Sequence, residues 1–183
     1  MSRTEFRFTG TGGQGIILAA SIFARAASVY EGFFALQTKQ YTADMRGGEV
    51  TSDVIISPDR IIYPAIDDPG FLIALAGSSF YKYKDSLRKN GVMITDRDLV
   101  KNDLTDLDTM HFICPFSKIA TNELGCSSFM NMIMLGFTFE ICGIISEGSL
   151  KSSIEDLIPE NFIDVNMKAL DMGIQLASDK SGE

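Results

Sequence analysis

The chain is poor in the residues that most enzymes use for acid–base and metal chemistry. Its 183 residues include one histidine and three cysteines. His111 sits in Met110-His111-Phe112-Ile113, an apolar run that predicts a strand, so a core or edge position is expected rather than a catalytic base. Cys114, Cys126 and Cys142 are 12 and 16 residues apart. No Cys-x-x-Cys pair exists, so local spacing builds neither a zinc site nor an iron–sulfur cluster. An odd number of thiols in apolar surroundings predicts reduced, buried cysteines in a cytoplasmic protein.

Positive charge is also scarce. Sixteen basic residues face 24 acidic ones, for a formal charge of −8, and the basic residues do not cluster. Binding to a phosphate backbone needs clustered Lys and Arg, which excludes nucleic acid as a partner. A basic segment followed by an apolar one, the mark of a secretory leader, is missing at the N-terminus. Residues 126–146 are long enough to span a membrane but contain Asn131 and Glu140, so a buried helix is expected there and no membrane partner. With 45% apolar residues the chain reads as one domain, residues 1–178, followed by a disordered tail, 179–183.

What the chain does have is a glycine turn. Phe6-Arg7-Phe8-Thr9 leads into Gly10-Thr11-Gly12-Gly13-Gln14-Gly15, and an apolar helix starts at Ile16. The order strand, turn, helix sets unshielded backbone N–H groups beside a helix N-terminus, which suits a phosphate. Gly10-x-Gly12-x-x-Gly15 also fits the dinucleotide pattern, but the carboxylate that a nicotinamide dinucleotide needs at the end of the next strand is absent. That strand, 33–38, runs into Lys39-Gln40 instead. The turn is fitted to phosphate and not to NAD.

Short and long apolar runs alternate along the chain, predicting an α/β fold: three layers, α/β/α, around a mostly parallel or mixed sheet, with a Rossmann-like N-terminal glycine turn. Strands are expected at 4–9, 33–38, 49–57, 71–76, 91–96 and 109–114. Helices are expected at 14–31, 79–89, 116–124, 128–146, 149–157 and 160–178. Val50, Ser52, Val54 and Ile56 share one face of a half-exposed strand, whereas Leu72 to Ala76 is apolar enough to be covered on both faces. Two helices look too apolar for a monomer surface. Between Gln14 and Tyr30 the only charge is Arg25, and between Gly125 and Phe139 there is none. Part of one is therefore expected to face another subunit.

A second polar segment, Gln37 to Gly48, carries Thr38 and then Arg46-Gly47-Gly48. In an open α/β sheet this loop should emerge on the same side as the glycine turn, where Arg46 would offer its planar fork to an anion.

Taken together these motifs are familiar. Phe8-x-Gly10-x-Gly12-Gly13-Gln14-Gly15, Gln37-Thr38-x-x-Tyr41 and Arg46-Gly47-Gly48 resemble the gamma subunit of 2-oxoacid:ferredoxin oxidoreductases. Asn122-Glu123-Leu124-Gly125, Asn131 to Gly136 and Asn166 to Gly173 extend the resemblance to about Leu176. The chain departs from the family's usual Tyr-Gly-Pro-Glu at Tyr41-Thr42-Ala43-Asp44, which leaves the 2-oxoacid open. The resemblance implies a non-catalytic subunit of an enzyme that converts a 2-oxoacid to an acyl-CoA and reduces ferredoxin. It implies alpha and beta partner subunits, with delta as an option, that carry thiamine diphosphate and the iron–sulfur clusters. Coenzyme A is expected at this chain's surface, at Gly10, Gly12, Gly13, Gln14, Gly15, Thr38, Arg46, Gly47 and Gly48, and a homodimer is expected in isolation. Two alternatives stand: the small subunit of an indolepyruvate oxidoreductase, and a free-standing nucleotide-binding module.

Overall fold

A computed structural model describes residues 2–41, 47–101 and 109–181. Six strands form one mixed sheet in the order β2-β3-β1-β4-β5-β6. They are β1 (Thr4–Thr11), β2 (Phe34–Tyr41), β3 (Glu49–Ser57), β4 (Phe71–Ala74), β5 (Val92–Asp96) and β6 (Met110–Cys114). Strands β1, β4, β5 and β6 are mutually parallel, while β3 runs antiparallel to both β1 and β2. The α/β expectation holds, with the sheet of the mixed kind.

The register of β3 decides where the site forms. Thr11 pairs with Glu49, and Tyr41 pairs with Val50. The ends of β1 and β2 thus share one edge of the sheet, with the start of β3 between them. A position at the end of β2 lies two strands from the glycine turn, roughly 10 Å away. A carboxylate there could not serve a ligand on the turn as it does where the two strands are adjacent.

The helical face is thick. Helix α1 (Ile16–Arg25) covers β1 and β3 and passes into one wider turn, Ala26–Tyr30. Phe23 packs edge-on against Phe6, with ring centroids 5.0 Å apart. Helices α3 (Phe116–Leu124), α4 (Met130–Cys142), α5 (Glu147–Leu157) and α6 (Ile163–Ser181) complete the layer. Among the described residues the opposite face carries the short α2 (Gly77–Tyr83), the turn after it, and coil from 58–70 and around Val100.

Several expectations are corrected. Every residue from Met130 to Phe139 is buried within this chain, so α4 needs no partner to cover it. Phe137 packs on Phe112 and Phe116, and α6 crosses so closely that Gly136 lies against the backbone of Leu170 and Gly173 against that of Ile133. Strand β3 is buried on both faces, not half-exposed, because it is internal to the sheet and its polar residues find partners. Arg7 grips Asp53 with two bonds, Nε to Oδ1 at 2.8 Å and Nη2 to Oδ2 at 2.7 Å. Helix α6 continues to Ser181, past the start of the expected tail. Of the cysteines, Cys114 is buried and Cys142 half-buried, while Cys126 is exposed. Burial pushes the thiols up to about 11 at Cys114 and about 12 at Cys142. His111 lies on β6 with its Nε2 2.9 Å from Thr95 Oγ1, and burial holds its pKa below the ordinary value. Among the described residues no helix is long and apolar enough to cross a membrane.

Candidate ligand site at the glycine turn

Backbone conformation makes the turn. Gly13 has φ +92° and Gly15, the residue before α1, has φ +71°, both in the left-handed region that side chains disfavour. Gly15 also lies against Asn131, whose Nδ2 donates to the Gly15 carbonyl at 3.4 Å, so a methyl there would collide with that side chain.

Hydrogen bonds divide the turn's donors into those that shape it and those left over. Gln14 folds back over Gly10, where its Oε1 accepts from the Thr11 N–H at 2.7 Å, and its Nε2 donates to the Leu75 carbonyl at 2.9 Å. The Gly12 N–H donates to the Gly48 carbonyl at 2.9 Å. Gly10, Gly12 and Gln14 therefore shape the turn, and Gly12 also lines a cavity beside it. Among the described residues no backbone bond engages the N–H of Gly13 or Gly15. The first helical bond runs from Ala19 to the Gly15 carbonyl, so among the described residues the N–H groups of Ile16, Ile17 and Leu18 ahead of it have no backbone partner. No acidic residue stands in the first turn of α1 to offset the positive end of its dipole from within the helix.

The structure brings the two predicted segments together through the Gly12–Gly48 bond, and Gly47, at φ +75°, adjoins it. Arg46 lies outside the described residues. Thr38 does not join the site. It pairs with Asp53, which pairs with Arg7, and its side chain lines a separate cavity with those two on the thin face of the sheet. Four residues of strand, about 13 Å, separate that level from Thr11.

Two cavities meet at the turn. The larger, about 630 Å³, is walled by Ile17, Leu18, Ser21, Tyr41, Val50 and Leu157. The smaller, about 280 Å³, is walled by Phe129, Asn131, Ile158, Phe162 and Asn166. Gly13, Gly15 and Leu18 belong to both. A ligand with an anionic centre and apolar or ring-bearing ends would match this layout. A polar brace that sequence reasoning missed supports the turn from the thin face. Glu49 Oε1 accepts from Lys82 Nζ at 2.6 Å and from the Tyr83 hydroxyl at 3.0 Å. Thr51 and Thr9 continue the chain of contacts at 3.4 and 3.1 Å to the strand just below Gly10. The bond to Glu49 holds the Lys82 ammonium above its ordinary pKa. Only the alternation of Thr9, Thr51 and Glu49 with apolar neighbours hinted at such a ladder.

The family model for pyruvate ferredoxin/flavodoxin oxidoreductase matches residues 5–176. The chain belongs to that family. A 2-oxoglutarate synthase subunit KorC from Methanocaldococcus jannaschii is 36% identical over 97% of this chain and 95% of its own length. The gamma subunit of a keto/oxoacid ferredoxin oxidoreductase from Geobacter sulfurreducens superimposes with a TM-score of 0.85 at 34% identity, over 96% of this chain and 99% of its own. The 2-oxoglutarate:ferredoxin oxidoreductase of Magnetococcus marinus, whose structure holds 2-oxoglutarate, coenzyme A and succinyl-CoA, shares the fold at TM-score 0.88 and 24% identity. There 98% of this chain matches only 32% of the longer one. An indolepyruvate oxidoreductase subunit IorB from Thermococcus kodakarensis is 25% identical over the whole of both chains, weaker support for that alternative. The reading as a gamma-type subunit of a 2-oxoacid:ferredoxin oxidoreductase stands.

Proposed function

We propose that this chain serves a 2-oxoglutarate:ferredoxin oxidoreductase by holding the phosphate-bearing part of coenzyme A at the glycine turn. The observation that carries the reading is the set of N–H groups at Gly13, Gly15 and the first turn of α1, left open between two cavities. Backbone donors and the helix dipole would grip the anion, and the apolar walls would receive the rest of the molecule. Arg46 is assigned a charge-assisted bond to the same anion, delivered by the Gly47–Gly48 segment that Gly12 anchors. Gly47 and Gly48 act through their backbone. The choice of 2-oxoglutarate follows the similarity to the KorC subunit.

Thiamine diphosphate and the iron–sulfur clusters are assigned to alpha, beta and delta partner subunits. In support, Cys114, Cys126 and Cys142 occupy separate elements, and among the described residues no group of three His, Cys, Asp or Glu could hold a metal. The chain itself works in the cytoplasm and pairs as a homodimer when its partners are missing.

The test is a reconstituted complex assayed with 2-oxoglutarate, coenzyme A and ferredoxin. Arg46→Ala is expected to raise the coenzyme A KM about 10- to 150-fold, the equivalent of about 1.5–3 kcal/mol, with kcat for the oxoacid little changed. Arg46→Lys should recover only part of that. If Arg46→Ala lowers assembly while the surviving complex keeps its KM, the arginine pairs with a partner carboxylate and the anion-site reading is wrong.

A further inference from the structure

The smaller cavity beside the glycine turn carries polar chemistry that gripping an anion does not require. Asn131 and Asn166 lie in its wall and are only 5% and 6% exposed. Asn166, on α6, donates from Nδ2 to the Phe162 carbonyl at 2.7 Å. Its Oδ1 accepts from no donor among the described residues, and the cavity reaches it. An amide oxygen in so buried a place costs free energy unless water or a ligand supplies the missing donor. Asn131, on α4, accepts the Met132 N–H at Oδ1, 2.9 Å away, and gives one Nδ2 hydrogen to the Gly15 carbonyl. The second Nδ2 hydrogen is left to donate. Two aromatic rings share the wall, Phe129, half-buried, and Phe162, 47% exposed. An open acceptor, a spare donor and two aromatic rings together describe the complement of a flat, nitrogen-bearing ring.

We propose that the smaller cavity is a purine subsite: it takes the adenine of coenzyme A, whose exocyclic amino group donates to Asn166 Oδ1. This rests on the reading of the glycine turn as the coenzyme's phosphate site. Asparagine side chains read adenine through its amino group and ring nitrogens, and aromatic side chains stack on bases. Size agrees. At about 280 Å³ the cavity falls just below the range of about 300–1,000 Å³ that takes drug-sized ligands, so it suits one ring system and not a whole cofactor. Connectivity agrees as well. Coenzyme A carries its pyrophosphate between adenosine and the pantetheine arm, and Gly13, Gly15 and Leu18 belong to both cavities. The anion site thus lies where a ring on one side and an arm on the other would meet. The larger cavity is walled by Ile17, Leu18, Val50 and Leu157, and among the described residues its walls hold no side-chain amide to read a base. It is assigned to the arm.

The experiment is competition against coenzyme A in the reconstituted complex, read by ferredoxin reduction, with ADP, IDP and inorganic pyrophosphate as competitors. IDP has a ring carbonyl where ADP has the amino group, so it sets one oxygen against another at Asn166. In the wild type ADP is expected to inhibit roughly tenfold or more tightly than either IDP or pyrophosphate. Asn166→Leu should weaken ADP until it is within about twofold of IDP, because the acceptor that tells them apart is gone. Phe162→Ala, at a half-exposed position where the fold has little to lose, should weaken ADP and IDP alike by severalfold and leave pyrophosphate unchanged. Should Asn166→Leu fail to assemble, the wild-type ratio and Phe162→Ala still decide. Equal inhibition by ADP and IDP in the wild type overturns the purine subsite. So does a difference that survives Asn166→Leu, or an ADP constant that Phe162→Ala does not move. ADP no tighter than a competing pyrophosphate overturns the subsite while leaving the phosphate reading in place. If neither competes and Arg46→Ala leaves the coenzyme A KM unchanged, the phosphate reading falls and the subsite with it.

Discussion

Removing the Asp53 carboxylate should be among the most damaging single changes to this chain. Arg7 and Asp53 are 8% and 5% exposed, and the guanidinium makes two short bonds to the carboxylate. It lies 4.9 Å from the centroid of the Tyr83 ring and donates to the Ile66 carbonyl. Asp53→Ala leaves a buried cation with that carbonyl and the ring for company. Breaking a buried pair in this way costs about 3–5 kcal/mol, against a total stability of about 5–15 kcal/mol for a domain. With a urea slope near 2 kcal/mol/M, the unfolding midpoint should fall by about 1.5–2.5 M. Replacing both partners by apolar groups, Arg7→Met with Asp53→Leu, removes the charge along with its counter-charge. The double variant should then lie within about 1–2 kcal/mol of wild type, far above the sum of the single losses. Equilibrium urea unfolding followed by circular dichroism measures both. A cost below about 1 kcal/mol for Asp53→Ala, or a double variant no better than that sum, would refute the argument that burial makes this pair expensive to break.

Two further outcomes follow from single residues. The one histidine gives a clean titration by NMR: burial lowers the His111 pKa from 6.5, so its imidazole should titrate with a midpoint below that value. Because the folded state binds the proton less readily, this stability is fully present above pH 6.5. It is lost as pH falls below 6.5 and levels once the folded-state value is passed; a midpoint at or above 6.5 would contradict the lowering attributed to its partial burial. Alanine at two helical glycines should act with opposite signs in thermal melts. Gly173→Ala drives a methyl into the backbone of Ile133 and should cost about 1–3 kcal/mol, whereas Gly148→Ala meets nothing within 4 Å and should gain up to about 1 kcal/mol.

The parts of the molecule that were legible in the sequence are those set by neighbours along the chain. Thr9 to Ile16 reads as strand, turn and helix because glycine spacing and apolar periodicity are local signals, and α1 begins within two residues of the expected place. The length and apolarity of 130–139 likewise announced a buried helix. What buries it was not legible, because the close crossing at Gly136 and Gly173 joins elements nearly forty residues apart. Pairings at such range leave little mark on a single sequence. Asp53 answers Arg7 across 46 residues, and Gln14 reaches Leu75 across 61. The insertion of β3 between β1 and β2 is of the same kind, and it is what places Gly48 against Gly12.

Gln14 shows how this misleads a motif-based reading. A polar side chain inside a glycine motif looks like a ligand contact, yet its amide is occupied at both ends in closing the turn on itself and on the end of β4. A turn that presents donors must first be held rigid, and the groups that hold it are drawn from the same short motif. The residues whose N–H groups have no backbone partner among the described residues are then the ones with the least to show in sequence, Gly13, Gly15 and the three apolar residues that open α1. Their contribution is backbone N–H, which every residue but proline possesses and only the fold can aim.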